Sequence, residues 1–464
     1  MFDFFKSIIK RSFDISVIIP IFNSEEYLVE AIESVVTQDI GFKDHIELIL
    51  VNDGSTDKSE DICLNYRKEY PHNIRYIYKK NGGVSSALNA GLLHIKGKYV
   101  IFLGSDDKWQ QGSFRAMYDF FELHNEEIDC LSAKVQIFGD REYEHSMNFK
   151  YSGNEVIEID DHPDYLVTLA GNMMFRSSAL QDIRFDETVS LGEDTLFDSE
   201  VLKSKKRYGQ VSDAVLMYRK HENGALTNDR YHNKVWYLDY PVNVLLKIAD
   251  MFRTENGGIS EYAQQMIAYW IRFAVIDHGI HTVLSDEEYK QFDSIFNQLL
   301  MMLDNKVISS LKNTPLLTRN HLLEMKNGEN VYDNAIIDRK GRLRYKKQII
   351  FNPAGSGLVS LDSLKEEKDH VVVEGTTMIC RSEGHCDLFA YSSEYPDKLI
   401  NVKPYEDDYV RYMYNGMIAN KREKFRVSIP ARSSGSICFI TMYQNNSIQY
   451  SPGVNSTNGT KYTL

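Results

Sequence analysis

The stretch Tyr99-Val-Ile-Phe-Leu-Gly-Ser-Asp-Asp107 is an apolar run that stops abruptly at two carboxylates. An earlier run, Ile46-Glu-Leu-Ile-Leu-Val-Asn-Asp-Gly-Ser55, stops in the same way. Apolar runs of this length are typical of parallel strands that are buried on both faces. In open α/β sheets, ligands bind at the carboxyl ends of such strands. The sequence therefore predicts a site for a nucleotide, a metal or both at that edge.

Helical patterns alternate with these strands. Ile15 to Ile19 is a β-branched run, and Asn23 followed by Glu26 predicts a helix start with its capping carboxylate. Apolar residues then recur at helical spacing as far as Val36. The pattern further predicts a helix over 57–69, a strand over 74–78, a helix over 84–95 and a strand ending at 103. Such alternation predicts an α/β fold with a mostly parallel, helix-covered sheet.

Five segments follow one another in a recognisable order. They are Ile15-Ser-Val-Ile-Ile-Pro-Ile-Phe-Asn23, Val51-Asn-Asp-Gly-Ser-Thr-Asp57, Asn81-Gly-Gly-Val-Ser-Ser-Ala-Leu-Asn-Ala-Gly91, Phe102-Leu-Gly-Ser-Asp-Asp107 and Leu191-Gly-Glu-Asp194. In this order they resemble the motifs of the family-2 glycosyltransferases, which have the GT-A fold. The resemblance covers roughly the first half of the chain. It implies inverting transfer of a sugar from a nucleotide-diphosphate donor, usually with a divalent metal.

Residues at the ends of the first strands are candidates for nucleotide binding. Asp53 offers a fixed acceptor for a base N–H, and Gly54 allows close approach of the backbone. The resemblance implies that Asp53 binds uracil N3, which makes a UDP-sugar the expected donor. The alternative is a turn-forming Asp, since Asn-Asp-Gly-Ser is also ordinary turn chemistry. The resemblance adds five further nucleotide-binding candidates, which are Pro20, Phe22, Asn81, Asn89 and Ser105.

A leaving diphosphate carries concentrated negative charge, which a hard cation such as Mn²⁺ or Mg²⁺ would neutralise through oxygen ligands. Asp106 is the candidate metal ligand. The resemblance implies that His221 could complete the metal site, since neutral imidazole is a common ligand. The alternative for Asp106 and Asp107 is that they cap a helix beginning near Gln111. The alternative for His221 is a solvated loop residue.

Three positions depart from the family pattern. The family's acid-x-acid pattern has another Asp where this chain has Gly104, although Asp107 or a phosphate oxygen could compensate. The family often has Arg where this chain has Leu88 and Ser where it has Gly224. These losses favour a second hypothesis, in which the chain is a non-catalytic or weakly active nucleotide-sugar-binding subunit of a glycan assembly complex.

An inverting displacement needs one base for the acceptor hydroxyl, and a carboxylate with a pKa near ~4 is ionised at neutral pH. Asp194 is the candidate base, and Glu193 would orient the site or the acceptor. The alternative is that both form only the charged first turn of a helix. Asn172 and Arg176, in the strand pattern before this helix, are candidates for acceptor contacts, and for Asn172 a role in the sheet is the alternative.

Composition limits the class of protein. The chain has 464 residues, 43% of them hydrophobic and 26% charged, which is typical of a globular protein. A formal net charge of −13 argues against nucleic acid as a partner. No apolar run approaches the ~20 residues of a membrane helix. Five scattered cysteines indicate reduced thiols in a cytoplasmic protein rather than a disulfide scaffold.

Changes of pattern predict four regions. They are an amphipathic N-terminal segment (1–12), a GT-A catalytic domain (13–230), a helical region (231–345) and a β-rich accessory domain (346–464). Phenylalanine, isoleucine and basic residues in the first segment predict a short helix on the inner face of the cell membrane. Packing of that segment on the catalytic domain, or disorder, is the alternative.

The last region has short apolar runs separated by Gly, Ser, Pro and Asn, which predicts an antiparallel β-sandwich. Such a module could bind carbohydrate or drive homo-oligomerisation. The resemblance further implies that the acceptor is a bacterial cell-surface glycan, such as capsule or teichoic acid, or a lipid-linked oligosaccharide.

Overall fold

The computed structural model describes residues 13–220, 230–331, 333–337, 342–351, 356–377, 386–392, 395, 398–430, 437–443 and 453–456. The chain divides into two compact units, the first ending at Met266 and the second beginning at Ile267. Within the described ranges, none of the helices combines the length and the apolar character that crossing a membrane requires. The predicted N-terminal helix, His221 and Gly224 lie outside these ranges.

The first unit is built on a ten-stranded sheet with the order β3-β2-β1-β4-β9-β6-β10-β5, in which β7 pairs with β6 and β8 with β10. The strands are β1 (Ile15–Ile21), β2 (Ile46–Asn52), β3 (Ile74–Tyr78), β4 (Tyr99–Phe102), β5 (Lys108–Trp109), β6 (Cys130–Gly139), β7 (Tyr143–Glu144), β8 (Glu155–Glu158), β9 (Met173–Arg176) and β10 (Arg207–Lys220).

Helices accompany these strands in the alternation that the sequence predicts. They are α1 (Leu28–Val36), α2 (Phe42–His45), α3 (Ser59–Glu69), α4 (Val84–Leu92), α5 (Ser113–Leu123), α6 (Glu193–Lys205), α7 (Lys234–Tyr237) and α8 (Leu246–Met251). The next helix, α9 (Glu261–Ala274), contains the boundary between the two units. Short 3₁₀ turns cover Ser146–Lys150, Ala170–Asn172, Ser177–Leu180 and Arg230–His232, and a π-helical turn covers Pro241–Leu245.

Parallel pairing dominates the part of the sheet that contains the quoted motifs. β1 is parallel to β2 on one side and to β4 on the other, and β2 is parallel to β3. β9 runs antiparallel to both of its neighbours, β4 and β6, whereas β10 is parallel to β6. The side chains of β2 and β4 are buried along their whole length, as expected for strands covered on both faces. The predicted mostly parallel sheet is confirmed.

The predicted helix cap at Asn23 is wrong. Helix α1 begins at Leu28, and its N-cap residue, Tyr27, makes no side-chain capping bond. Asn23 instead has a positive φ of 49°, and its Oδ1 accepts a hydrogen bond from the Thr56 backbone N–H at 2.8 Å. Asn tolerates this backbone conformation better than most residues, so a local sequence signal for a cap serves a long-range contact here.

The second unit contains helices followed by sheets. Its helices are α10 (Ile280–Val283), α11 (Asp286–Met301), α12 (Asn305–Ser309) and α13 (Leu316–Asn327). Its strands are β11 (Ile336–Ile337), β12 (Leu343–Tyr345), β13 (Gln348–Phe351), β14 (Ser356–Glu367), β15 (His370–Thr377), β16 (Cys386–Ser392), β17 (Ile400–Asn401), β18 (Pro404–Tyr412), β19 (Ile418–Pro430), β20 (Ile437–Tyr443) and β21 (Gly453–Ser456).

These strands form sheets with the orders β11-β12-β13, β18-β19-β15-β14-β21 and β17-β16-β20. The rings of Phe425 in β19 and Phe439 in β20 lie 5.9 Å apart, which links the five-stranded sheet to one three-stranded sheet. The pairings are antiparallel except for β14 with β21, which is parallel. The predicted helical region and C-terminal antiparallel sheets are confirmed, with that one exception in the pairing.

Helix α6 begins at a glycine that no other residue could easily replace. Gly192 is its N-cap and has a φ of +83°, which L-residues rarely adopt. A β-carbon at this position would also lie 2.3 Å from Cε2 of Tyr240. The backbone conformation and the close ring contact therefore both require glycine at the start of α6.

We expect Gly192→Ala to lower the free energy of unfolding by more than Gly257→Ala does. Gly257 is a matched control, because its φ is +81° and a β-carbon there would meet nothing within 4 Å. Both variants carry the backbone strain, whereas only the first adds the clash with Tyr240, which should cost a further ~1–3 kcal/mol. Urea denaturation measures the difference, and equal losses for the two variants would contradict this account.

Candidate active site

Candidate residues that follow three neighbouring strands meet at one edge of the first unit's sheet. Phe22 follows β1, Asp53 follows β2, and Asp106 lies just beyond β4. Because these strands are parallel, their carboxyl ends share an edge. The hydroxyl groups of Ser24 and Ser105 are 2.7 Å apart and join the first of these loops to the last. The structure therefore brings the nucleotide candidates and the metal candidate to the same side of the sheet.

Reciprocal bonds hold the loops after β1 and β2 together. The Glu25 backbone N–H donates to Asp57 Oδ2 at 2.9 Å, and the Lys58 N–H donates to Glu25 Oε2 at 2.9 Å. Together with the bond from Thr56 to Asn23, these contacts explain why the Asp-Gly-Ser-Thr-Asp segment is rich in small polar residues. They fix the position of Phe22 relative to Asp53.

Asp53 is buried and accepts hydrogen bonds from the loop that follows β3. Its Oδ1 lies 2.6 Å from Lys79 Nζ and accepts from the Gly82 N–H, while its Oδ2 accepts from the Gly83 N–H at 2.8 Å. The turn itself is closed by Asn52, whose Oδ1 accepts from the Ser55 N–H. The turn-forming role that the sequence left open for Asp53 is thus filled by Asn52.

The remaining nucleotide candidates have different surroundings. Phe22 is 51% exposed, Pro20 is half-buried and Asn81 is exposed, so all three are accessible at the sheet edge. The Asn81 backbone lies directly over Gly54, where a β-carbon would come within 3.0 Å of the Asn81 nitrogen. Asn89 is different, because its amide donates to Phe185 O and accepts from Phe185 N–H, both at 2.9 Å. Asn89 therefore holds the segment around Phe185, which precedes α6, in place.

Two carboxylates converge on Gly104. A β-carbon there would lie 2.8 Å from Asp107 Oδ2 and 3.1 Å from Asp106 Oδ1. Neither acid caps α5, which begins at Ser113 with Gly112 as its N-cap and without a side-chain capping bond. Asp107 is buried, and this burial together with the charge of Asp106 raises the pKa of Asp107 to about 8. The helix-capping alternative is wrong.

Arg219 in β10 fixes this acidic turn. Its backbone N–H donates to Asp107 Oδ1 at 2.8 Å, and its Nε donates to the Asp106 carbonyl at 2.8 Å. The guanidinium lies 4.4 Å from the ring centre of Tyr27 and 4.3 Å from that of Phe138, and it also binds the Glu30 carboxylate. Lys220, the last described residue before 221, is only one position further along β10.

Glu193 and Asp194 occupy the first turn of α6, where the helix dipole favours carboxylates. Asp194 Oδ1 accepts from the Thr195 N–H at 2.7 Å, and Thr195 Oγ1 donates to Thr168 O at 3.3 Å. Burial, aided by the negative charge of Glu193, raises the pKa of Asp194 to about 7. Burial also raises the pKa of Glu193.

An aromatic cluster attaches this helix to the end of β4. The Phe197 ring stacks on Phe185 with centroids 4.1 Å apart and lies edge-on to Phe102 at 5.5 Å. Phe102 is the last residue of β4, two positions before Gly104. The cluster therefore places the N-terminus of α6 beside the strand that carries Asp106.

The two acceptor candidates lie at different edges of the sheet. In the pairing of β9 with β4, Met174 is opposite Ile101 and Arg176 is opposite Tyr99, so Asn172 falls at the carboxyl edge and Arg176 at the amino edge. The Asn172 amide donates to Ala133 O at 2.5 Å and is buried. Arg176 donates to Asp129 and to Ile128 O. The structure does not bring Arg176 to the site, because strand polarity places it at the opposite end.

Comparisons with known proteins identify the family of this chain. The family model described as Glycosyl transferase family 2 matches residues 16–184. The minor teichoic acid biosynthesis protein GgaA of Bacillus subtilis is 34% identical over 303 residues, which cover 63% of this chain and 67% of GgaA. The chain belongs to glycosyl transferase family 2.

A second relative is longer than this chain. The minor teichoic acid biosynthesis protein GgaB of Bacillus subtilis is 33% identical over 425 residues, which cover 90% of this chain and 47% of GgaB. This family-2 chain therefore spans about half the length of that relative.

Solved structures of similar fold include TarS of Staphylococcus aureus, with a TM-score of 0.59 at 20% identity, covering 97% of this chain and 79% of TarS. TarS residues 1–349 in complex with UDP-GlcNAc align with a TM-score of 0.55 at 22% identity, covering 73% of this chain and 99% of that one. These likenesses confirm the GT-A fold for this family-2 chain.

Sequence reasoning missed Arg219 and Lys79 as parts of the site. Arg219 lies two residues before His221, and its partners Glu30 and Asp106 are far away in sequence. Lys79 precedes the Asn81 motif and carries no local signal for its bond to Asp53. Both roles depend on which strands pair. The sequence pattern did not specify the order of the strands in the sheet, so it could not predict these contacts.

The chemistry of the acidic turn fits a divalent cation. Among the described residues, no three carboxylate, imidazole or thiol side chains cluster as a complete protein-only metal site. Mg²⁺ and similar cations are commonly held by only one or two carboxylates together with substrate phosphates. Two carboxylate oxygens that converge on Gly104 supply that kind of donor set at the edge where the nucleotide candidates lie.

A cleft of about 180 Å³ lies beside the start of α6. Its wall includes Tyr240, the residue whose ring touches Gly192. The other groups that line it come from residues 188–191 and from the segment around α7. The polar members are Thr188, Ser190, Asp239 and Asn243.

Proposed function

We propose that this chain is an inverting glycosyltransferase that moves a sugar from a UDP-sugar to a hydroxyl of a bacterial cell-surface glycan or lipid-linked acceptor. One observation carries the proposal: Asp194 lies in the first turn of α6, and Phe197 of this helix packs against Phe102 at the end of β4, the strand that leads to Asp106. The names of the relatives GgaA and GgaB, both teichoic acid biosynthesis proteins, support a surface glycan as the acceptor class.

The proposed donor site is the edge after β1, β2 and β4. Phe22 offers an exposed ring for stacking on a base, and Asp53 offers a carboxylate for the N3–H of uracil. Because Lys79 Nζ binds that carboxylate through a flexible side chain, we infer that the base displaces Lys79. We retain Pro20, Asn81 and Ser105 as neighbours of the nucleotide, and we assign Asn89 to positioning.

The proposed metal ligands are Asp106 and His221, with Mn²⁺ or Mg²⁺ as the cofactor. When bound, the cation would neutralise the diphosphate that leaves with the nucleotide. Arg219 holds the acidic turn in place by bonds to Asp106 O and Asp107 Oδ1. The turn thus needs little reorganisation when charge develops on the leaving group.

Asp194 is the proposed base. It would take the proton of the acceptor hydroxyl while the acceptor oxygen forms a bond to the anomeric carbon and the bond from that carbon to the diphosphate breaks. The sugar is transferred in a single displacement, which inverts the anomeric configuration. Glu193 adds to the effect of burial in raising the pKa of Asp194, and we propose that it orients the site or the acceptor.

We place the acceptor in the cleft beside the start of α6. Hydroxyl, amide and carboxylate groups line this cleft, which suits one neutral sugar or polyol unit rather than an anionic phosphate. Asn172 remains a candidate at the carboxyl edge, although its amide is bonded to Ala133 O. Arg176 has no place in this proposal, because it lies at the amino edge.

We infer a cytoplasmic location, with the segment 1–12 contacting the inner face of the membrane, where a lipid-linked acceptor would lie. The β-rich region from 346 onward is proposed to bind glycan or to mediate homo-oligomer formation, and the region boundaries at 12, 230 and 345 are proposed with it.

We expect Asp194→Asn to lower sugar transfer and donor hydrolysis from UDP-GlcNAc or another active UDP-sugar by roughly 10²–10⁴-fold, because the base is lost. UDP affinity should stay unchanged, and the exposed Asp182→Asn serves as the control. Turnover that survives in Asp194→Asn would remove the base assignment. Tight UDP binding by the wild-type chain without any turnover would instead favour the nucleotide-sugar-binding subunit.

The pH profile of transfer should have an acidic limb near pH 7. Asp194 acts as a base only when ionised, and burial raises its pKa to about 7, so kcat/KM should fall about tenfold per pH unit below that value and level off above it. In Glu193→Gln the limb should move to lower pH, because a neighbouring negative charge is removed. A limb that stays in place would contradict the electrostatic link between the two acids.

Thermal stabilisation by a nucleoside diphosphate should be greater for UDP than for CDP. A carboxylate at Asp53 accepts the N3–H of uracil, whereas cytosine presents an unprotonated N3. A nucleotide at 100 times its dissociation constant adds about 2.7 kcal/mol to stability, which is readily measured. The preference for UDP over CDP should disappear in Asp53→Ala, and equal stabilisation of the wild-type chain by both nucleotides would exclude this role of Asp53.

A further inference from the structure

The space above Gly104 is occupied by carboxylate oxygens rather than by a side chain of residue 104. Asp107 Oδ2 and Asp106 Oδ1 both approach the point where a β-carbon on Gly104 would lie, at 2.8 Å and 3.1 Å. At 2.8 Å a β-carbon could not be accommodated unless the Asp107 carboxylate moved. Glycine at 104 is therefore what allows the Asp107 carboxylate to turn back over the end of β4.

The orientation of the Asp107 carboxylate is fixed from its other side. Its Oδ1 accepts the Arg219 backbone N–H at 2.8 Å. Arg219 is itself held by the Asp106 carbonyl, by Glu30 and by the rings of Tyr27 and Phe138. One oxygen of Asp107 is thus used for structure, and the opposite oxygen is directed toward Gly104 and the Asp106 carboxylate.

We propose that Asp107, through Oδ2, acts with Asp106 as the second carboxylate ligand of the divalent cation and so replaces the acid that residue 104 does not supply. This inference rests on the proposed function, since that function supplies the diphosphate which completes the coordination. Two carboxylates with substrate phosphates are a usual donor set for Mg²⁺ and similar cations. The carboxylate ligand that residue 104 lacks is then supplied by Asp107.

The competing explanation is that Asp107 only anchors β10 through Arg219. Asp107→Asn separates the two roles, because the asparagine carbonyl can still accept the Arg219 N–H while its NH₂ group cannot bind a cation. Asp106→Asn serves as the reference for loss of a ligand. The exposed Asp182→Asn serves as the control for a change of charge away from the site.

The experiment is a titration of the full chain with Mn²⁺ in the presence of UDP, with free Mn²⁺ measured by electron paramagnetic resonance and no sugar turnover required. We expect Asp107→Asn to weaken Mn²⁺ binding roughly 10–100-fold, the scale seen when groups around a metal are removed. Its melting temperature should remain close to that of the wild-type chain. Wild-type Mn²⁺ affinity in Asp107→Asn, with loss in Asp106→Asn, would overturn the proposal.

A second variant tests the same point with both carboxylates intact. Gly104 is not among the glycines with positive φ, so Gly104→Ala adds a methyl group without backbone strain. The methyl should displace the Asp107 carboxylate and weaken Mn²⁺ binding several-fold, and unchanged affinity would count against the proposal. A wild-type chain that transfers sugar yet binds no Mn²⁺ with UDP would overturn this inference while leaving the proposed transferase function standing.

Discussion

Strand β1 forms parallel hydrogen-bonded ladders with β2 and β4, in which Ile15 is paired with Ile46 on one side and with Tyr99 on the other. Most side chains along these strands are fully buried, and each large apolar one contributes about 1.5–3 kcal/mol through burial. The polar candidates of the site therefore lie beyond the strand ends, where the chain leaves the core. Because the strands are parallel, those ends are neighbours, and the site exists as a consequence of this pairing.

The acidic turn after β4 depends on a second constraint, the clamp made by Arg219. Its guanidinium is enclosed by two aromatic rings and bonded to Glu30 and to the Asp106 carbonyl. Cation–π contacts of a desolvated arginine are worth about 2 kcal/mol, and charge-assisted hydrogen bonds add to them. Burial and the charge of Asp106 raise the pKa of Asp107, whereas the hydrogen bond from the Arg219 N–H and the charge of Arg219 lower it. The clamp therefore favours the ionised form of Asp107 beside Gly104.

The sequence specified the strands well because continuous apolar runs have few alternatives to a buried parallel strand. Ile74–Tyr78 forms the predicted strand, and the strand predicted to end at 103 ends at Phe102. The sequence misled at Asn23, where a capping pattern matched a local rule but the side chain serves a contact to Thr56. It could not place Arg176, because strand direction inside the sheet is set by tertiary pairing that no local pattern encodes.

The ordered motifs gave the residues around the site, whereas their partners came only from the fold. Asp53 was identified as an acceptor, yet its bond to Lys79 joins two loops that the sequence pattern treated separately. Asn89 was assigned to the nucleotide, but its amide is complementary to the backbone of Phe185. A motif shows which residue type occurs at a position. It does not show which neighbouring residue that side chain contacts.

The position of Asp194 sets two electrostatic effects against each other. The N-terminus of α6 stabilises its ionised form, but such dipole effects amount to about 0.3–1 kcal/mol, less than the ~1.36 kcal/mol that one pKa unit represents. Burial and the charge of Glu193 act in the opposite direction and raise the pKa of Asp194 to about 7. Burial therefore outweighs the dipole. A base with this pKa is still ionised in a large fraction of molecules at neutral pH and is a stronger proton acceptor than an exposed carboxylate.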